Sequence, residues 1–251
     1  MSAGASERFR AFPHQAHEAI APLAAKGARI DERALDVFDG DSLSERLVRA
    51  LARRRALAAK EVFESFEFFT RARKRVRGRR MADLCCGHGL VGALFATFER
   101  GVDEVLLVDI ARPASHHLIL EALDEVAPWA PPKLQFVEAR LTRARELIPT
   151  DAHLLAVHAC GLRTDRILEL ARERRVPVAA LPCCPQAALA GVPPALVREL
   201  GPALACDTAR TIALEQDGLC VRWGSIPRSI TPMNRLILAW PRTPNTPRRA
   251  S

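Results

Sequence analysis

The sequence predicts an α/β protein in which a mostly parallel β-sheet is covered by helices on both faces. Two observations support this prediction. From residue 80 to residue 240, short apolar runs typical of buried strands alternate with stretches of helical spacing. A glycine-rich turn, Gly87 to Gly92, follows the first of these strands. Such βαβ alternation builds a parallel sheet, and ligands bind such sheets beyond the carboxyl ends of the strands.

Each element can be assigned from its pattern. The expected strands are MADLCC, EVLLVDI, KLQFVEA, HLLAVHAC and VPVAALPCC, and two more close the chain within GLCVRWGSI and TPMNRLILAW. Helices connect them, from GLVGALFATFER through ASHHLILEALDEV and TDRILELARER to PALVRELGPALA. Before residue 80, Ser42 and Glu45 form a capping box. Apolar residues at helical spacing then predict a helix that continues to Gly78.

The length and composition exclude several classes of protein. The 251 residues, 49% hydrophobic and 26% charged, suit one domain with an appendage. No apolar run reaches the roughly 18–20 residues of a membrane-spanning helix. The first residues lack the apolar core of a secretory signal, so a soluble, cytoplasmic protein is expected. The seven cysteines do not have zinc-finger spacing, and a disulfide scaffold is not expected.

The positive charge is concentrated near the N-terminus. Residues 1–80 contain 18 Lys/Arg and 11 Asp/Glu, whereas residues 81–251 contain 19 and 18. Seven of the ten residues of the basic run, Arg71–Arg80, are Lys or Arg. Such a run suits a phosphate backbone, so RNA contact is predicted there. The alternative interpretation is a solvated helix end in an arginine-rich protein.

The glycine turn and the end of the second strand predict a nucleotide-like ligand. Gly87 and Gly89 permit a tight turn with backbone amides facing a ligand, and Gly92 permits close packing of helix on strand. Asp109 closes the second strand, where a carboxylate can accept both ribose hydroxyls of an adenosyl group. A dinucleotide would suit this pattern as well, and Asp109 alone could simply form a turn.

The spacing Asp83-x-Cys85-x-Gly87-x-Gly89 resembles motif I of the class I S-adenosylmethionine-dependent methyltransferases, which prefer glycine where Cys85 stands. The resemblance spans roughly residues 80–240. It implies a Rossmann-like sheet with an antiparallel last strand and S-adenosylmethionine as cofactor. It also implies that the acid of the motif lies near the amino-acid part of the cofactor. The cofactor-binding residues expected on this basis are Asp83, Cys85, Gly87, His88, Gly89, Asp109, Ile110 and, on the adenine side, Arg140.

A second group of motifs follows the fourth and fifth strands. His158-Ala159-Cys160-Gly161 with Thr164-Asp165, and then Cys183-Cys184, resemble the eukaryotic tRNA 2′-O-methyltransferases of the acceptor stem and related methyltransferase-like proteins. Two features depart from those tRNA enzymes. Their N-terminal Cys/His zinc modules are lacking here, and Pro185-Gln186 replaces the histidines that follow their cysteine pair.

The chemistry of methyl transfer assigns roles to these residues. A ribose hydroxyl is a poor nucleophile, so His158 is expected to act as general base, the alternative being a hydrogen-bonded core histidine. Asp165 is expected to orient that imidazole, unless it caps the next helix. Cys160 and Cys183 are expected to line the substrate pocket. No tightly bound metal is expected, because adjacent cysteines seldom both bind one zinc ion.

Together these observations predict three regions: a basic helical extension (1–79), a cofactor-binding domain (80–241) and a disordered tail (242–251). The predicted function is S-adenosylmethionine-dependent methylation of RNA, with a ribose hydroxyl favoured. Neither a membrane nor an obligate protein partner is expected. Two alternatives stay open: a methyltransferase for a small molecule or protein, and a catalytically silent module that binds an adenosyl group and RNA.

Overall fold

The computed structural model describes residues 8–24, 27–186 and 191–242. Seven strands form one sheet: β1 (Arg80–Leu84), β2 (Glu104–Asp109), β3 (Leu134–Glu138), β4 (His153–Val157), β5 (Val178–Leu181), β6 (Leu219–Ser225) and β7 (Arg235–Pro241). Their order is β3-β2-β1-β4-β5-β7-β6. Strand β7 is antiparallel to both neighbours, and the other pairs are parallel. This arrangement confirms the predicted fold class and its antiparallel last strand.

The helices precede and connect these strands. They are α1 (His17–Ile20), α2 (Arg33–Val37), α3 (Leu43–Arg53), α4 (Ala59–Val76), α5 (Leu90–Phe98), α6 (Ala114–Val126), α7 (Leu141–Ala144), α8 (Arg163–Arg174) and α9 (Pro194–Gln216). Helix α9 is interrupted at Gly201, where the backbone leaves the helical region before a proline. None of these helices is both long and apolar enough to cross a membrane. All of the predicted tail except Arg242 lies outside the described residues.

Side chains from the two faces of the sheet enter two separate hydrophobic clusters. Met81 of β1 packs with α3, α4, α5 and α6, whereas the next residue, Ala82, packs with the layer of α7, α8 and α9. This alternation is the period of a β-strand buried on both faces. The helices before residue 80 therefore share one continuous core with the sheet.

The predicted helix from Ser42 to Gly78 is two helices, so that prediction is wrong in its middle. The capping box is present, since the Glu45 amide donates to Ser42 Oγ at 3.3 Å. The first helix, α3, ends at Arg53, and Arg55 just beyond it has a φ of +47°. The Ala56 amide donates to the Leu51 carbonyl at 3.0 Å, the hydrogen bond of a Schellman end. An arginine occupies the left-handed position, where glycine is the usual signal.

The sheet topology places the candidate site. From β1 the chain proceeds to β2 and β3 on one side, and then returns to β4 and β5 on the other. The crevice between the carboxyl ends of β1 and β4 is therefore the topological switch point, where ligands bind in such sheets. The loops that begin at residues 85, 110, 139, 158 and 182 all lie at this edge.

Candidate active site

The glycine turn after β1 forms an open cradle. Gly87 has a φ of +53°, and among the described residues no atom lies within 4 Å of where its Cβ would stand. Gly92, one turn into α5, is crowded instead: a Cβ there would lie 2.9 Å from the Val105 side chain and would also clash with Leu107. The first glycine leaves space over the turn, and the second lets α5 pack directly on β2.

Asp109 joins this turn to the end of β2. One carboxylate oxygen accepts the Gly87 amide at 2.7 Å, and the other accepts the Ile110 amide at 2.6 Å. Because a carboxylate has about four acceptor positions, two remain for hydroxyl groups of a ligand. The Ile110 side chain stands next to it, 72% exposed. A fixed acceptor beside an exposed apolar surface suits a ribose that carries a flat base.

Asp83 supports the turn from beneath. Its carboxylate is buried and accepts the Gly92 amide at 2.9 Å. Burial, with a smaller effect of Asp109, raises the pKa of Asp83 to about 7. The side chain therefore anchors the start of α5. Cys85, at a φ of +58°, is half-buried, and burial raises the pKa of its thiol to about 11.

His88 faces inward from the turn. Its Nδ1 accepts the Leu90 amide at 3.1 Å, and its carbonyl oxygen is 3.0 Å from Nδ1 of His116. Burial, helped by the neighbouring His116, lowers the pKa of His88 to about 4. A neutral His88 thus braces the turn against α6, where His116 is buried.

His158 follows β4 in the left-handed conformation, with a φ of +54°. Its Nε2 lies 2.7 Å from Oε2 of Glu64 on α4. The Glu64 side chain is only 3% exposed, whereas that of His158 is 30% exposed. The two atoms are at ion-pair distance without the alignment of a hydrogen bond, and Glu64 Oε1 has no hydrogen-bond partner among the described residues. A buried acid thus faces the predicted base.

Sequence reasoning missed Glu64, although a signal exists. Glu64 and Glu67 interrupt the apolar face of α4 among phenylalanines. A buried carboxylate requires a partner, and Glu67 has several: the Arg10 and Ala11 amides at 2.8 and 2.7 Å, and an ion pair with Arg71. Among the described residues, the Glu64 carboxylate has only His158 as a partner. This contrast between two glutamates on one helix marks Glu64 as part of a site.

The expected role of Asp165 is wrong. Its two carboxylate oxygens bind the Arg210 guanidinium at 2.8 and 2.9 Å, in a bidentate pair. Arg210 also binds Asp207, which in turn binds Arg235 at 2.6 Å. Both acceptor oxygens of Asp165 are thereby engaged away from His158. Asp165 fastens α8 to α9, and Glu64 occupies the position beside the imidazole.

Three cysteines meet beyond β4 and β5. The Sγ atom of Cys160 lies 3.1 Å from that of Cys183 and 3.6 Å from that of Cys184, and the last two are 3.5 Å apart. All three are free thiols. Burial and the neighbouring thiols raise the pKa of Cys183. No metal was expected because adjacent cysteines seldom both bind one zinc ion, but here Cys183 and Cys184 both face Cys160. We name these three residues the thiol cluster.

Most of the basic run is neutralised within the protein. Arg71 is 4% exposed and forms a buried ion pair with Glu67, so it is not available to a phosphate backbone. Glu99, Asp103 and Asp151 bind the other four paired arginines of the run, which are Arg73, Arg77, Arg79 and Arg80. Lys74 and Arg75 are exposed without a carboxylate partner among the described residues, and Arg75 stacks on Trp240 at 4.8 Å.

A different set of cations lies at the candidate site. The starts of α7 and α8 are at the carboxyl edge of the sheet, and they carry exposed arginines that have no carboxylate partner in the described part of the chain. These site-edge arginines are Arg140, Arg143, Arg163 and Arg166. The charge of Arg163 acts to lower the pKa of Cys85, which places it next to the cleft. By contrast, Lys74 lies about 15 Å from Glu64 along α4.

Comparison with known proteins supports the fold. No protein-family model and no curated protein matches the chain. Among solved structures, a protein from Corynebacterium glutamicum is 16% identical with a TM-score of 0.50, over 83% of this chain and 94% of that one. A candidate O-methyltransferase from Klebsiella pneumoniae is 14% identical with a TM-score of 0.50, over 86% and 97%. The chain therefore has a Rossmann-like fold that it shares with methyltransferase structures.

Proposed function

We propose that this protein is an S-adenosylmethionine-dependent methyltransferase that acts on a hydroxyl group of RNA. One observation carries the proposal: the glycine turn, the Asp109 carboxylate and the His158–Glu64 pair converge on the switch point of the sheet. The first two features suit an adenosyl ligand, and the third suits removal of a proton. A methyltransferase with an oxygen nucleophile needs both.

The residues present fit the cofactor. Asp109 would accept the ribose hydroxyls with its remaining lone pairs, and the exposed Ile110 would cover the adenine. Gly87 leaves the space above the turn open, which a side chain would fill. When bound, S-adenosylmethionine supplies a methyl group on a positively charged sulfur, and the C–S electron pair returns to sulfur as the new O–C bond forms.

His158 is the proposed proton acceptor. Because Nε2 faces a carboxylate, the neutral imidazole carries its proton there and leaves Nδ1 as the acceptor. Nδ1 takes the proton of the substrate hydroxyl as its oxygen attacks the methyl carbon. Glu64 holds the ring and stabilises the imidazolium that results, since an opposite charge nearby favours the protonated form. Glu64 is a positioning residue, because it acts through His158.

RNA is proposed as substrate because of charge at the site. The site-edge arginines provide up to four exposed cations at the edge of the sheet where the crevice lies, and such cations attract a phosphate backbone. Their planar guanidinium groups bind phosphate bidentately. In the basic run, Lys74 and Arg75 alone lack a carboxylate partner among the described residues, and they lie about 15 Å or more from Glu64 along α4.

One observation favours a second candidate, a methyltransferase for a small molecule. Five of the seven basic residues of the run Arg71–Arg80 bind carboxylates of this chain. Most of the positive charge of this run is therefore paired with acidic side chains of the same chain. If the substrate is a small molecule, the protein should transfer the methyl group to it and should show no salt-dependent affinity for RNA.

The test begins with the cofactor. S-adenosylmethionine and its demethylated product should both raise the melting temperature by binding the native state, whereas NADH should not. Asp109→Ala should weaken cofactor binding by about 1.5–3 kcal/mol. The control is Asp103→Ala, which removes an exposed acid near the opposite end of β2. Stabilisation by NADH alone would overturn the cofactor assignment.

The second step identifies the substrate. The protein is incubated with methyl-labelled cofactor and total RNA, and the RNA is then digested to nucleosides. Label in a ribose-methylated nucleoside supports the proposal, and label in a base shows a different acceptor atom. If the protein binds the cofactor but methylates neither RNA nor any of a panel of small hydroxyl compounds, it is the catalytically silent binding module.

A further inference from the structure

The thiol cluster is a set of donors that the proposed methyl transfer does not use. Cys160 comes from the loop after β4, and Cys183 and Cys184 come from the loop after β5. These strands are parallel neighbours, with Val157 opposite Leu181, so their loops begin side by side. Neighbouring residues of a strand point to opposite faces, but Cys183 and Cys184 lie past the strand end and can both face Cys160.

The sulfur positions match a metal site more closely than a disulfide. The three Sγ–Sγ distances, 3.1, 3.5 and 3.6 Å, form a nearly regular triangle. Thiolates held about 2.3 Å from a tetrahedral zinc ion lie about 3.8 Å apart, so the three sides of the triangle need to widen by about 0.2 to 0.7 Å. A disulfide would have to bring two sulfurs to about 2.05 Å and would leave the third unexplained.

We propose that Cys160, Cys183 and Cys184 bind one Zn²⁺ ion. Three sulfur donors without a carboxylate select a soft metal and exclude Mg²⁺ and Ca²⁺, which prefer oxygen ligands. Each thiol releases its proton to solvent when it binds. Because Cys184 is exposed, solvent can reach the cluster and supply the fourth ligand of a tetrahedral site.

Full-length protein purified without chelator tests this proposal independently of any cofactor or substrate. Mass-spectrometric metal analysis should find about one equivalent of Zn²⁺ per chain. After the metal is removed, added Co²⁺ should give the intense absorption of tetrahedral cobalt with thiolate ligands. Cys160→Ser, Cys183→Ser and Cys184→Ser should each weaken Zn²⁺ binding by at least about tenfold.

Cys220→Ser is the matched control, since it removes a half-buried cysteine on β6, two strands away from β5, and should retain the metal. Cys184→Ser is the decisive variant, because an exposed side chain can be changed without disturbing the core. If Cys160→Ser or Cys183→Ser fails to fold, as circular dichroism would show, the loss of Zn²⁺ affinity in Cys184→Ser still tests the proposal. Protein without zinc whose Co²⁺ spectrum is octahedral, or a Cys160–Cys183 disulfide found by peptide mass, would overturn the proposal.

Discussion

The Glu64 carboxylate, on a helix that precedes the sheet, lies 2.7 Å from the imidazole Nε2 of His158, which follows the fourth strand. The acid is buried and the histidine is partly exposed toward the crevice. This order, from buried carboxylate to imidazole to open cleft, is that of a supported general base. It assigns α4 a part in the site as well as in the core.

Glu64→Gln should lower kcat for methyl transfer by roughly 10- to 1,000-fold while KM for both substrates changes less than about threefold. The amide keeps the size of the side chain and removes the charge that stabilises the imidazolium. Steady-state kinetics measure the split, and Glu64→Asp should recover part of kcat. Glu215→Gln, which changes an exposed side chain near the end of α9, is the control and should have normal kinetics. If Glu64→Gln lowered both kcat and the melting temperature, and Glu64→Asp recovered no kcat, Glu64 would have a packing role alone.

His158→Asn should reduce methyl transfer by roughly 10²–10⁴ and leave cofactor affinity within about threefold. Asparagine is chosen because it tolerates the positive φ of this position better than alanine. Calorimetry measures cofactor binding, and single-turnover labelling measures the chemical step. A folded variant with full turnover would reduce His158 to a structural residue.

Removing the site-edge cations should change how RNA affinity depends on salt. Arg140→Ala with Arg163→Ala should lower the slope of log affinity against log salt by about two, near one for each lost phosphate contact. Lys74→Ala with Arg75→Ala, which removes two exposed cations at the other end of α4, is the matched control. Its slope should change by less than about one. If the Lys74 and Arg75 variant lost more of the slope than the Arg140 and Arg163 variant, RNA would contact the basic run instead. If the RNA affinity of the wild type did not depend on salt, a small-molecule substrate would be favoured.

Asp83 should make the folded state less stable as pH rises from about 4 to about 7. Burial raises its pKa from 3.8 to about 7, so within this window the folded protein holds a proton that the unfolded chain has released. Asp83→Asn carries no such proton and can still accept the Gly92 amide. The melting temperature of the variant relative to the wild type should therefore increase with pH. A difference that stays constant between pH 4 and pH 8 would contradict this.

The sequence was sufficient for the sheet and for the glycine turn because both depend on local patterns. Alternating apolar runs determine the strands, and Gly87 with Asp109 marks the turn and its partner strand end. The break between α3 and α4 was not predictable from composition, because Arg55 occupies a position that usually requires glycine. Packing against the sheet determines where that chain turns.

The partners of the site residues were harder to predict, since they depend on contacts between distant segments. Asp165 lies a few residues from His158, yet Arg210 on α9 binds it. Glu64 is remote in sequence, yet the packing of α4 on the sheet brings it to the imidazole. Closeness in sequence favoured Asp165 as the partner of His158, whereas in the folded protein the carboxylate beside His158 is that of Glu64.

The two halves of the candidate site belong to separate stretches of the chain. Residues 83–110 supply the turn and the Asp109 acceptor, whereas the carboxylate beside His158 comes from α4. Replacing the N-terminal helices would therefore remove the proposed support of the base together with the part of the core that α3 and α4 share with the sheet. Binding of an adenosyl ligand and support of the base thus depend on different segments of the sequence, whereas the stability of the sheet depends on both.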